Sequence, residues 1–201
     1  MPSPPLSRPR ADAMAGLMVL LVLGVAWTTR ESRAFPGPGV RAPIFSAATL
    51  DGDTVSLDDY LGQVVLLNIW ATWCPPCREE MPSMQRLYEE FRSRGEAFAI
   101  LAVSIDAPAG HRDAAGNVGG DLAAFAREYG LTFPILHDPS GRVQSVFLTT
   151  GVPESFVIDR EGVIRTRVAG ATEWDAPQRR QAIARLLGSQ LPMDSALATS
   201  R

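Results

Sequence analysis

Residues 63–77 read QVVLLNIWATWCPPC, and this stretch decides the fold. Gln63 to Trp70 is a continuous apolar run of strand character, the pattern of a central strand buried on both faces. Cys74 to Arg94 reads as a helix with Met81, Met84, Leu87, Tyr88 and Phe91 on one side. Cys74 therefore lies at a helix N-terminus, where the dipole and the free backbone N–H groups favour its thiolate. The thiolate is the form of cysteine that attacks a disulfide. Cys77, about one turn further on, can reach back to Cys74 and resolve a mixed disulfide. Pro75 and Pro76 suit a first helical turn but have no N–H to donate. Only Cys77 and later residues can stabilise the thiolate through the backbone. The Cys74 pKa is thus expected below the free value of ~8.5, though less so than in the strongest oxidants, a lean toward a reductant.

Working outward, Ile44 to Ala47 and Thr54 to Leu57 flank an Asp51-Gly52-Asp53 turn, a hairpin signal. Ala97 to Ile105 is a second buried strand, and the Gly/Ala-rich stretch Ala107 to Gly120 is a loop. Asp121 to Tyr129 is a short helix with Asp121 as N-cap. Ile135–Leu136 is a short strand, with His137 as a turn residue after it, and Arg142 to Phe147 a short helix. Ser155 to Ile158 and Val163 to Val168 form a hairpin around Asp159 to Gly162. Ala176 to Leu187 closes the domain as a helix. The expected fold class is α/β, a three-layer sandwich with a mixed central sheet and an added N-terminal β-hairpin. Gly116 to Gly120 does not follow a strand as a dinucleotide fingerprint must, so nucleotide binding is discounted.

The whole chain has 201 residues, a hydrophobic fraction of 46% and a net charge of −3, which suits one globular domain with extensions and no nucleic-acid partner. All 19 basic residues are Arg, a composition we attribute to the genome rather than to function. Ala11 to Thr29 is apolar apart from Asp12, flanked by Arg8, Arg10 and Arg30. At ~1.5 Å per residue it is just long enough to cross a bilayer, with Trp27 at an interfacial position. A cleaved signal peptide is the competing reading. The chain accordingly divides into a cytoplasmic segment 1–10, a transmembrane signal-anchor helix 11–29, a linker 30–43, a domain 44–188 and a flexible tail 189–201.

WCPPC after VVLLNIW, the preceding SLDDYLGQ and the segment Gly151-Val152-Pro153-Glu154-Ser155-Phe156 together resemble the thioredoxin-like thiol–disulfide reductases of the TlpA/ResA group. The likeness spans about Ala42 to Leu187. It implies a thioredoxin-like fold, a bacterial cell-membrane anchor with one pass, and a domain facing the periplasm or outer surface. It implies Cys74 as nucleophile, Cys77 as resolving thiol and Pro153 as a cis-proline lying against the dithiol. The Val152 backbone would then offer edge hydrogen bonds to a substrate peptide. Thioredoxins bury an acid six positions before the first cysteine, and here that position is Asn68. The group instead places an acid after the second cysteine. Glu80 fits, three positions beyond Cys77 on one helix face, where a carboxyl can raise a thiol pKa and carry a proton. Glu79 points elsewhere, and Pro82 would kink the helix. Trp73, with Pro75 and Pro76, would form an apolar docking face; Trp70 belongs to the core, and the Glu173-Trp174-Asp175 segment to packing.

The expected activity is thiol–disulfide reduction of exported proteins. The resemblance implies apocytochrome c or respiratory copper-site proteins as clients, and a membrane thiol–disulfide transporter as electron donor. The dithiol is itself the redox group, so no metal or other cofactor is expected, and the protein reads as a monomer. The rival readings are a disulfide-donating oxidase, a thiol peroxidase and a copper-binding chaperone using Cys74, Cys77 and His137. A zinc site lacks its second half, because His111 and His137 are isolated and no other cysteine exists.

Overall fold

A computed structural model describes residues 35–189. The expected anchor helix 11–29 and most of the tail 189–201 lie outside those residues. Among the described residues no helix is long and apolar enough to cross a membrane.

Seven strands form one sheet: β1 (Ser46–Thr49), β2 (Thr54–Ser56), β3 (Val64–Trp70), β4 (Phe98–Ser104), β5 (Ile135–His137), β6 (Glu154–Ile158) and β7 (Ile164–Ala169). Their spatial order is β2-β1-β5-β4-β3-β6-β7. β3 and β4 run parallel, as do β4 and β5. β6 pairs antiparallel with β3, β7 with β6, and β1 with both β2 and β5. The sheet is therefore mixed, with the expected hairpin added at one edge. Its pairing centres on Ala47 opposite Val55. The residues after Ser56 turn into a 3-10 helix, Leu57–Tyr60, where Asp59 accepts from the Ser56 backbone N–H at 2.8 Å.

Four α-helices cover the sheet: α1 (Pro75–Ser93), α2 (Leu122–Tyr129), α3 (Arg142–Phe147) and α4 (Pro177–Leu187). Side chains of a strand alternate between faces, and β3 uses both. Val64, Leu66 and Trp70 join one core with Met81, Met84, Leu87 and Phe91 of α1, Phe125 of α2 and Ile183 of α4. Val65, Leu67 and Ile69 join the other with Phe147 of α3, Phe45 and Leu57. Two cores on one sheet make three layers. They also explain why the Val64–Trp70 run lacks a polar alternation, Asn68 excepted.

α1 begins where the sheet layer ends. Cys74 is its N-cap, and Pro75 occupies the first helical position. The helix continues through Pro82, which has no N–H for the Arg78 carbonyl. Next to it, Ser83 Oγ donates to the Glu80 carbonyl at 2.8 Å and accepts from Trp174 N at 3.0 Å. The Glu173–Asp175 segment is thereby docked on α1, with Trp174 fully buried and Asp175 accepting from Arg86 at 2.6 Å. That is the packing role expected of it.

The Pro/Gly-rich stretch before β1 also makes ordered contacts. Gly39 N donates to Ile164 O, Ile164 N to Val40 O, and Ala42 N to Gly162 O, at 2.8, 2.9 and 2.8 Å. The final residues of the expected linker thus add to the outer edge of the β6–β7 hairpin.

Candidate active site

The parallel strands β3 and β4 end side by side, with Trp70 opposite Ser104. The carboxyl end of a parallel sheet is where chain connections leave side chains free for chemistry. Cys74 and Cys77 lie there, joined by a disulfide with Cα atoms 5.3 Å apart. The Cys77 N–H donates to Cys74 Sγ at 3.3 Å, the one near donor that the two prolines leave. Pro75 and Pro76 are exposed. Cys74 retains 3% of its surface and Cys77 none, so an approaching molecule meets the first sulfur and not the second.

Val152–Pro153 is a cis peptide bond. Val152 O stands 3.5 Å from Cys74 Sγ. In the disulfide state this sulfur carries no proton, so the contact can become a hydrogen bond only after reduction. Pro153 is buried and Val152 half-buried. The structure thus brings the 152–153 loop against the sulfurs from a strand far away in sequence.

Glu80 is 2% exposed, whereas Glu79 faces solvent. Glu80 Oε1 accepts from Asn68 Nδ2 at 2.6 Å and Oε2 from Thr172 N at 3.3 Å. Burial dominates its titration and pushes the carboxyl up to about 7, against smaller downward pulls from Asn68, Thr172 and Trp174. Asn68 Nδ2 also donates to Ser155 Oγ at 2.9 Å, while its Oδ1 is buried without a partner. Glu80 and Cys77 occupy the same buried face of α1. The helix spacing thus placed Glu80 on the correct side.

Trp73 is half-buried, packed against the α1-side core. It lines a cleft of about 300 Å³ together with Thr72, Arg78, Gly120, Asp121 and Phe125. Arg78 bonds Tyr129 Oη at 2.9 Å and lies over the Phe125 and Tyr129 rings. Trp70 is fully buried, 4.7 Å from the Phe125 ring centre, as expected of a core residue. His137 ends β5 rather than following it, and its Nε2 donates to the Asp106 carbonyl at 2.8 Å. Among the described residues no group of three or more His, Cys, Asp or Glu could hold a metal ion.

Sequence reasoning missed Asp106. It is fully buried just beyond β4, and its carboxylate accepts from Thr72 N at 2.8 Å, Thr72 Oγ1 at 2.5 Å, Ser104 Oγ at 2.6 Å and Gly120 N at 3.2 Å. The available signal was an acid directly after an apolar parallel strand. Nothing in the pattern linked it to Thr72, 34 positions away.

Dithiol chemistry presented on this sheet, at a helix N-cap and beneath a cis-proline loop, defines a thiol–disulfide oxidoreductase of the thioredoxin-like class. The chain belongs to the AhpC/TSA family, whose profile matches residues 38–167. Thioredoxin-like protein YneN of Bacillus subtilis is 35% identical over 157 residues, 76% of this chain and 86% of that one. The thiol-disulfide oxidoreductase ResA of Oceanobacillus iheyensis is 34% identical over 83% of this chain and 82% of its own. Among solved structures, a putative thiol:disulfide interchange protein DsbE from Chlorobium tepidum superimposes with a TM-score of 0.62 at 31% identity, covering 76% of this chain and 98% of that one. StoA from Bacillus subtilis gives 0.54 at 26%, covering 72% and 98%.

Proposed function

We propose that the protein is a membrane-anchored reductase that clears disulfides from exported proteins outside the cytoplasm. The carrying observation is the asymmetry of the two sulfurs: Cys74 touches the surface and accepts a helix N–H, while Cys77 is sealed behind it.

The Cys74 thiolate attacks one sulfur of the client disulfide. The client S–S bond breaks, a Cys74–client bond forms, and the departing client thiolate takes up a proton. Cys77 then gives its proton to the Glu80 carboxylate and attacks Cys74 Sγ. The mixed disulfide breaks and the second client thiol leaves. Two electrons have passed to the client, and the enzyme ends as the Cys74–Cys77 disulfide seen here. A Glu80 carboxyl that titrates near neutrality suits that proton transfer. Trp73, Pro75 and Pro76 offer the client an apolar face, and the Val152 backbone beside Pro153 pairs with its extended chain.

The clients are apocytochrome c or respiratory copper-site proteins, and a membrane thiol–disulfide transporter restores the dithiol. The dithiol is the whole redox centre, without metal or other cofactor. The anchor is the 11–29 segment, followed by a linker ending at 43 and the domain 44–188, in a chain that works as a monomer.

The test is trapping. Mixed with a disulfide-bonded peptide in place of the client, Cys77→Ser should accumulate a covalent mixed disulfide that dithiothreitol releases, and Cys74→Ser should form none. Equal trapping by both variants would overturn the assignment. Equilibration with glutathione then sets the direction: a potential near or below thioredoxin's, about −270 mV, supports the reductase, and a value far above it supports the oxidase.

A further inference from the structure

The proposed exchange steps do not use Asp106, yet it is the most heavily bonded buried acid near the dithiol. Its two oxygens bind both polar groups of Thr72, two positions before Cys74. One of them also takes the Gly120 N–H, closing the 107–120 loop onto the same spot. That approach needs glycine at 120, because a Cβ there would stand 2.4 Å from Thr72 Oγ1. Ser104 Oγ donates to the carboxylate and accepts from the Asp106 N–H at 3.0 Å. The His137 ring holds the Asp106 carbonyl. The clamp is anchored on β4 and β5 and grips the connection from β3 to α1.

We infer that Asp106 is a positioning residue that makes the dithiol a stronger reductant by holding Thr72, and with it Cys74, in place when the disulfide is open. This rests on Cys74 and Cys77 being the redox couple. In the oxidised protein the S–S bond itself restrains residues 74–77. In the reduced protein that covalent restraint is gone, and the clamp on Thr72 remains to hold the segment entering Cys74. Loss of the clamp therefore releases more conformational freedom in the dithiol than in the disulfide. The dithiol gains, the effective concentration of one sulfur beside the other falls, and the protein gives up its two electrons less readily.

The measurement is the dithiol–disulfide equilibrium of the full-length protein against glutathione redox buffers. Thr72→Val keeps the side-chain shape and removes one bond to Asp106. It should shift the equilibrium threefold or more toward the dithiol. Asp106→Ala should shift it at least tenfold, a rise of about 30 mV for a two-electron couple. Thr72→Ser restores the hydroxyl and should return within twofold of the wild type. If Asp106→Ala does not fold, Thr72→Val decides alone. A merely structural clamp lowers the melting temperatures of oxidised and reduced protein equally and leaves the potential where it was. That outcome, or a shift toward the disulfide, overturns the inference. A wild-type protein with no measurable dithiol–disulfide equilibrium would instead sink the proposed function, so the two failures are distinct.

Discussion

At Glu80 the decisive quantity is the work of burying a charge. The folded protein keeps this carboxyl protonated up to about pH 7, while an exposed glutamate in the unfolded chain releases its proton near the ordinary 4.5. Between those values the folded state binds more protons than the unfolded one. Stability therefore falls as pH rises from 4.5 to 7, by about 3 kcal/mol at the upper end. Glu80→Gln removes the titration, so denaturation midpoints of variant and wild type should converge at low pH and separate as pH rises through that window. A constant difference from pH 4 to pH 8 would show that another group titrates. In the same variant, resolution of the Cys74–client disulfide should slow about tenfold or more if the carboxyl carries the Cys77 proton. Cys74, Cys77 and the side of α1 that bears Glu80 were all legible in one stretch of sequence, because helix spacing is local. The depth of Glu80 was not. Its burial comes from Thr172 and Trp174, some ninety residues downstream, which close over α1.

Elements repeat this division. β3 and α1 could be read from the chain because α1 carries its own periodicity and β3 a run that is apolar except at Asn68, which reflects two cores that the structure confirms. Leu87 lies on the buried face of α1 with no surface exposed. Leu87→Ala should cost about 2–5 kcal/mol in chemical denaturation. Asp121 caps α2 by accepting from Ala124 N at 2.9 Å, so Asp121→Ala should cost about 1 kcal/mol by the same measurement. The 107–120 stretch is a loop, as read from the sequence, but its internal order escaped pattern reading because polar bonds hold it. Asp113 gathers the N–H groups of Ala115 and Asn117, and a single bridge pairs Arg112 with Val118. No hydrophobic period records such a structure. The cis bond at Pro153 was accessible only through the family resemblance, since local sequence does not set the isomer.

For the whole molecule, the two sheet edges bear on self-association. β2 is three residues long and passes directly into a 3-10 turn. On the other side residues 39–42 already occupy the start of the β7 edge, and Arg165 and Arg167 charge the rest of the strand. Arg167 is further committed inward, bonding Glu154 at 2.5 Å, Pro36 O at 2.9 Å and Leu148 O at 3.1 Å. Short, covered or charged edges resist strand addition by another copy. Sedimentation of the purified protein should give one chain per particle across a hundredfold concentration range. A concentration-dependent dimer would show that another surface is sticky. Topology of this kind was only partly foreseeable: the mixed sheet followed from element order, but the docking of residues 39–42 had no signature beyond Pro and Gly.

The sealed position of Cys77 has a practical corollary for labelling. In the reduced native protein a bulky maleimide should add to one sulfur per chain, and mass spectrometry should place it on Cys74. After denaturation the adduct count should rise to two. Any oxidant or electrophile too large to enter the core thus meets a molecule that presents a single reactive thiol, although it carries a pair.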